Sequence, residues 1–274
     1  MAQIICLANS KKHGERCIAG IEVSTGKWVR PVSNLDDGRI PRNMCLIDGE
    51  EPKLLDILEI PLANTGPGYE CENRLLLPGR WQRLGQASPT DIVKYYEDKI
   101  IYSQWSSAVP FSFLYSLPLP QRRTLQLLRT IRFSASKYSV SGKWEASLLT
   151  ISGQRIKATI TDLALIDKLN HNITPKSECL VTVSLTQPWQ KSDLDELSCW
   201  KLITGVIELS EFDLILVEMQ RIGWGVEQGR EYLQQTYNKR SRQQLTPDQT
   251  TEFLIYLKSL PTANKLTSCS FPHS

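Results

Sequence analysis

Two tripeptides in this sequence set a cation beside an indole: Gly26-Lys27-Trp28 and Gly142-Lys143-Trp144. Each follows a small-residue turn, "VSTGKW" in one case and "SVSGKW" in the other, and each opens a run that reads as a strand. A lysine meets a phosphate and an aromatic plane accepts a base, which is what binding an unpaired polynucleotide requires; stacking contributes about 1–3 kcal/mol per base. The same residues have a structural reading, in which each Trp closes the end of a β-unit and each Lys is a solvated turn residue. A second basic group, Lys11, Lys12, His13 and Arg16, crowds the first polar turn, with Glu15 the one acid among them. Arg30 falls two residues from Trp28 on the same strand face. These side chains are the candidate phosphate contacts, with a solvated loop as the alternative. Lys239, Arg240 and Arg242 stand in "TYNKRSRQQL", with no acid between Glu231 and Asp248, next to an expected helix start. Orphan N–H groups and guanidinium forks there act together on a phosphate. Arg122, Arg123, Arg129 and Arg132 form a further group, read as a polar connection or as the lining of a groove. Trp224 and Tyr237 read as tail core residues.

Catalytic patterns are missing. The sequence has no G-x-x-x-x-G-K-[ST] phosphate loop, no G-x-S-x-G elbow and no H-E-x-x-H. "IGWGVEQG" follows no βαβ unit, which argues against a dinucleotide site. His13, His171 and His273 are scattered and supply few bases for nucleophilic chemistry. The acids Asp36-Asp37, Glu50-Glu51, Asp193, Asp195 and Glu196 fall in loops; a metal-dependent nuclease built on them is the third functional reading. Seven cysteines, an odd number without a C-x-x-C pair, fit reduced thiols of a cytosolic protein. No metal and no cofactor are expected.

The elements that must position these residues are mostly strands. "QIICLAN", "RCIAGIEVS", "KWVRPVSN" and "KLLDILEIPLA" are strands broken at Gly14, Gly26 and Pro31, the last of them central because its apolar signal is nearly continuous. "TDIVKYYEDKI" is a short helix capped by Thr90. Residues 103–124 are rich in Pro and Ser and read as a linker. "TLQLLRTIRFSA", "GKWEASLLTI", "QRIKATITD", "ECLVTVSLTQPW" and "CWKLITGVIEL" form a second β-region, with a hairpin at Ser152-Gly153 and a short helix in "TDLALIDKLNHN". From Phe212 the apolar spacing becomes helical, and Thr246-Pro247-Asp248-Gln249 is a capping box. Two sets of about five short strands call for closure, because closure removes exposed edges. The expected fold is therefore mainly β: two OB-like barrels over 1–102 and 125–211, a helical module over 212–261 and a disordered tail over 262–274. SH3-like barrels are the alternative.

"ANSKKHGERCIAGIEVSTGKWVRPVS" and "LLDILEIPL" resemble the opening of bacterial dual-OB-domain proteins, which carry N-S-x-K, R-C-x-A-G and G-x-W-x-R-P-V-S in this order. "ITD", "LVTVSLTQPW" and "CWKLITGVI" resemble that family's later strands, so the likeness spans about residues 1–210. It implies a pair of OB barrels, and nucleic acid by analogy. The tail from Ile222 resembles a helical module appended to single-strand annealing and DNA-repair proteins of bacteria and phages.

Totals are consistent with these elements. In 274 residues, 41% are apolar and 22% charged, as in soluble globular proteins. The formal charge of +3 permits a polyanionic partner without requiring one. The amino terminus lacks a secretory pattern and no apolar window approaches about 20 residues, so a cytoplasmic protein without a membrane partner is expected. The leading expectation is a non-enzymatic protein that binds single-stranded DNA or RNA in repair, recombination or defence against mobile elements. The alternative is an adaptor that meets other proteins of a nucleoprotein complex.

Overall fold

Chain reversals at glycine turn the amino-terminal strands into a closed circuit. The computed structural model describes residues 1–263 except 140, 191, 193 and 194. The expected disordered tail over 262–274 therefore lies outside the described residues from 264 on, with His273 and Cys269, as does Asp193. Strands β1 (Ala2–Lys12), β2 (Glu15–Glu22), β3 (Trp28–Val32), β4 (Asp56–Ile60), β5 (Asn73–Leu75) and β6 (Gln82–Gln86) lie in the order β5-β3-β2-β1-β4-β6. β5 runs parallel to β3. Beyond β4 the chain meets β5 again through a Leu62–Leu76 bridge, with Ala63 N donating to Leu75 O at 2.9 Å. That contact closes a five-stranded OB circuit and leaves β6 as an added edge on β4. The core holds Ile4, Ile18, Val29, Leu58, Ile60 and Trp81. Gly20, the last residue of the R-C-x-A-G run, is required: a Cβ there would collide with the Ile5 carbonyl oxygen. At the same place the β1–β2 register shifts between Cys6 and Ala8, a bulge that bends β1.

Helix α1 (Pro89–Ile92) is shorter than the sequence suggests and is capped two residues earlier than Thr90, by Ser88 in a box with Asp91, leaving Pro89 at the first helical position. The stretch 103–124 is no free linker. It carries β7 (Ala108–Pro110) and α2 (Phe111–Ser116). Its prolines punctuate the chain, but Trp105, Phe111 and Phe113 give it apolar surface, which packs with Tyr69, Val109, Leu114, Leu185 and Cys199.

The second barrel consists of β8 (Leu125–Lys137), β9 (Trp144–Thr150), β10 (Arg155–Ile160), α3 (Leu163–Asn170), β11 (Cys179–Leu185) and β12 (Ser198–Glu208). The order is β10-β9-β8-β11-β12-β7, and parallel pairing of β10 with β12 closes it. A helix between the third and fourth strands completes the OB pattern. Asp162 caps α3 by accepting from Leu165 N at 3.1 Å, and its other oxygen accepts from Val206 N at 2.9 Å.

The two barrels share buried contacts. Thr182 Oγ1 of β11 donates to the Leu7 carbonyl of β1 at 2.7 Å, and a Cβ at Gly205 would collide with that same oxygen. Met1–Glu208 accordingly forms one compact unit, and the chain from Leu209 forms another. That second unit holds α4 (Glu211–Arg221), α5 (Val226–Tyr237) and α6 (Pro247–Ser259). Boxes at Ser210/Asp213 and Thr246/Gln249 start α4 and α6. Phe253, Leu254 and Leu257 are buried, as their helical spacing predicts. The chain is thus mainly β, with two OB-like barrels followed by helices.

Candidate nucleic-acid interface

Strand β10 alternates. Ile156, Ala158 and Ile160 point into the second barrel, while Arg155 and Lys157 point out, because side chains on a strand repeat every two residues. Their outer face forms the floor of a groove of about 1190 Å³. The turn between β8 and β9 brings Lys143 and Trp144 to one side, and β12 brings Trp200 and Lys201 to the other. The hairpin tip joining β1 to β2, with Lys11 and His13, forms a wall contributed by the first barrel. Six cations line this space: Lys11, Lys137, Lys143, Arg155, Lys157 and Lys201. Among the described residues the one acid lining it is Glu145, whose carboxylate pairs with Lys157 at 2.9 Å.

Three indoles face the same space. Trp144 donates its Nε1–H to Asn170 Oδ1 at 2.9 Å and packs against the barrel core, and the Lys137 ammonium stands 5.7 Å from its ring centroid. Trp144 thus packs on the barrel core and also lines the groove. Trp189 and Trp200 lie with centroids 5.6 Å apart at a tilt of 36°, and Trp189 is 45% exposed. Lys201 is 3% exposed, with Nζ donating to the carbonyls of Trp105 at 2.6 Å and Tyr102 at 3.2 Å. Burial lowers its pKa to about 8.

Of the residues singled out in the sequence, Lys11, Lys143 and Trp144 come together here. Lys12 does not, because the next residue of a strand faces the other way; its ammonium lies on the Asp37 carbonyl oxygen, at a separate smaller cleft. Arg16 forms a fork with Glu51, at 2.5 and 2.6 Å, and holds that carboxyl below its usual range. Lys27 is exposed at the β2–β3 turn, outside the groove lining, and Trp28 packs against Ala8, Ala19 and Leu125.

Arg30 requires a correction. Expected on an open strand face, it is 6% exposed, with Nη2 donating to Thr124 Oγ1 at 2.9 Å and Nη1 3.5 Å from Glu70. Glu72 accepts from the backbone N–H of Thr124 and Leu125, at 2.7 and 3.2 Å. The second barrel packs over this face, so a guanidinium that alternation places outward is buried against Thr124, just before β8, and lines the smaller cleft beside Lys12 rather than the groove.

Lys239, Arg240 and Arg242 belong to the second unit. Arg122, Arg123, Arg129 and Arg132 do not line the groove: Arg123 pairs with Glu97, Arg129 is buried beside Glu178, and Arg122 lies over the Tyr115 ring at 4.5 Å. Sequence reading missed Lys137, Arg155, Lys157, Trp189, Trp200 and Lys201. The period-2 alternation of "QRIKATI" contained the signal for two of them.

A stretch of 48 residues is 54% identical to an uncharacterized protein, slr1353, of Synechocystis sp.; it is 18% of this chain and 16% of that protein, so the match spans well under two-thirds of the relative's length. Among solved structures, the tetrameric p202 HIN2 aligns over 76% of this chain and 91% of its own, at 9% identity and a TM-score of 0.27. The model of the dual OB-containing domain matches residues 2–206, the two barrels with their joint, and the chain belongs to that family.

Proposed function

We propose that the chain binds single-stranded nucleic acid in the groove of its second barrel, and does so as a binding protein rather than an enzyme. One observation carries this reading: Lys11 of the first barrel and four lysines and Arg155 of the second converge with three tryptophans on one groove that has a single, already paired acid among its described lining. The outer face of an OB barrel, with the loops at its rim, is a surface on which oligonucleotides lie. Cations track the backbone there and exposed rings take the bases, which must be unstacked to reach them. An unpaired strand meets that condition and a duplex does not. Handling single strands during repair, recombination or defence against mobile elements is the cellular role this reading favours.

Fluorescence anisotropy of labelled oligo-dT, oligo-rU and a duplex tests it. Single strands should bind, with affinity falling steeply between about 50 and 200 mM salt as counterions are released. Replacing Lys143 and Arg155 by Glu removes two phosphate contacts and should flatten the log–log salt slope by about 1.4. Indifference to every oligomer at the lowest salt would overturn the proposal.

A further inference from the structure

The basic stretch of the helical unit borders a cleft within that unit. Between α4 and α5 lies a space of about 190 Å³, walled by Ile215, Met219, Leu233 and Val226. The Met219 methyl lies so close to Gly229 that any side chain at 229 would displace it. A thioether adapts its shape to what it meets. Val226 is 67% exposed, so the apolar lining continues out to solvent at the first turn of α5. Arg230, Arg240 and Arg242 stand around this space, and no acid lines it among the described residues. Arg230 pairs with the exposed Glu227 at 2.8 Å, an arrangement worth little in water. Arg240 and Arg242 pair with no acid among the described residues, and the Arg240 backbone N–H is fixed on Gln244 Oε1 at 2.9 Å.

We propose that this cleft is a docking site for an acidic peptide segment of a partner protein, which inserts one large apolar side chain between α4 and α5 while its carboxylates meet Arg230, Arg240 and Arg242. Charge complementarity and size select the occupant. Three guanidinium forks around the rim match carboxylates bidentately. A cavity of about 150 Å³ lined by Leu, Ile and Phe accepts a benzene ring, so this one accommodates one side chain of that scale. Phe253 adds an aromatic wall to the cleft and stacks on Tyr232 at 5.0 Å.

The test uses the full chain and a fluorescein-labelled peptide in which Asp and Glu residues flank a single Leu, beside a twin with Ser in place of that Leu. The Leu peptide should bind and the Ser twin should bind about tenfold more weakly, since burying such a side chain is worth roughly that factor or more. Val226→Asp should abolish peptide binding while α5 is retained, because an acid in the first turn suits a helix. Arg240→Glu with Arg242→Glu should abolish it as well, and each variant should keep the parent's far-ultraviolet circular dichroism and its oligo-dT affinity. Failure of the Leu peptide to bind, equal binding of the twins, or unchanged peptide binding by either variant would overturn the proposal. So would an Arg240/Arg242 variant that loses oligo-dT affinity, which would assign those arginines to nucleic acid.

Discussion

Among the indoles of the groove, exposure separates ligand binding from packing. Trp189 is nearly half exposed and meets Trp200 alone among its ring neighbours. Trp189→Ala should therefore weaken oligo-dT binding by about 1–3 kcal/mol in anisotropy at fixed salt, with no shift in thermal midpoint. Trp144→Ala, which loses the Asn170 bond and core packing, should lower both. Lys201 makes a different prediction, one of pH. Its folded-state pKa is lowered to about 8 from an ordinary 10.5. Between those values the unfolded chain holds a proton that the folded chain has released, so the Lys201 contribution to stability rises with pH across that window. Below about 8 both states are charged and the burial penalty stands in full. Urea midpoints of the parent and of Lys201→Met, compared at pH 7.5 and 9.5, should show the parent gaining on the variant as pH rises. A constant difference would remove the depressed lysine from the account.

At the level of elements, Asp162 has two tasks, capping α3 and receiving the Val206 N–H of β12. Asp162→Ala should cost about 1–2 kcal/mol for the cap, and more for the backbone donor left unpaired in the barrel, read as a lowered urea midpoint. The "ITD" run that carries this residue was legible as a family trait, while its mechanical reason was not. The strands, the hairpins at Gly26, Gly142 and Gly153, and the Thr246 cap could be read because each depends on local backbone chemistry. The groove was only half legible for the opposite reason. Lys11, Lys143 and Trp200 are remote in sequence, and barrel closure alone brings them to one face. Alternation marked Arg155 and Lys157 as outward, but nothing local shows that outward on β10 faces a groove whereas outward on β3 faces another barrel. Arg30 was misassigned on that account, since strand parity gives the side of a residue and not what covers that side.

The covered face also decides how the molecule folds as a whole. Arg30, Glu70, Glu72, Asn73 and Thr124 are each buried where the barrels meet, and bonds run from Arg30 of β3 and from Glu72, just before β5, to Thr124, just before β8. Breaking a buried pair by removing one partner costs about 3–5 kcal/mol, because the remaining charge stays out of water. A fragment of residues 1–102 breaks several such contacts at once. It loses Thr124 from Arg30 and Glu72, loses Leu125 from the cluster of Ala8, Ala19 and Trp28, and loses Thr182 from the Leu7 carbonyl. Such a fragment should show no cooperative thermal transition and should bind a hydrophobic dye. Residues 1–208 keep every one of these contacts and should unfold in a single transition, with coincident traces from near- and far-ultraviolet dichroism. Arg30→Met in that longer fragment should lower its one midpoint without splitting it, and should leave the salt slope of oligo-dT binding unchanged, since the guanidinium lies outside the groove lining. Two separate transitions in the parent fragment would mean that the barrels are stable independently and that the joint only tethers them. The wall that the β1–β2 hairpin gives the groove would then be free to open, and oligo-dT would bind the second barrel as tightly without the first.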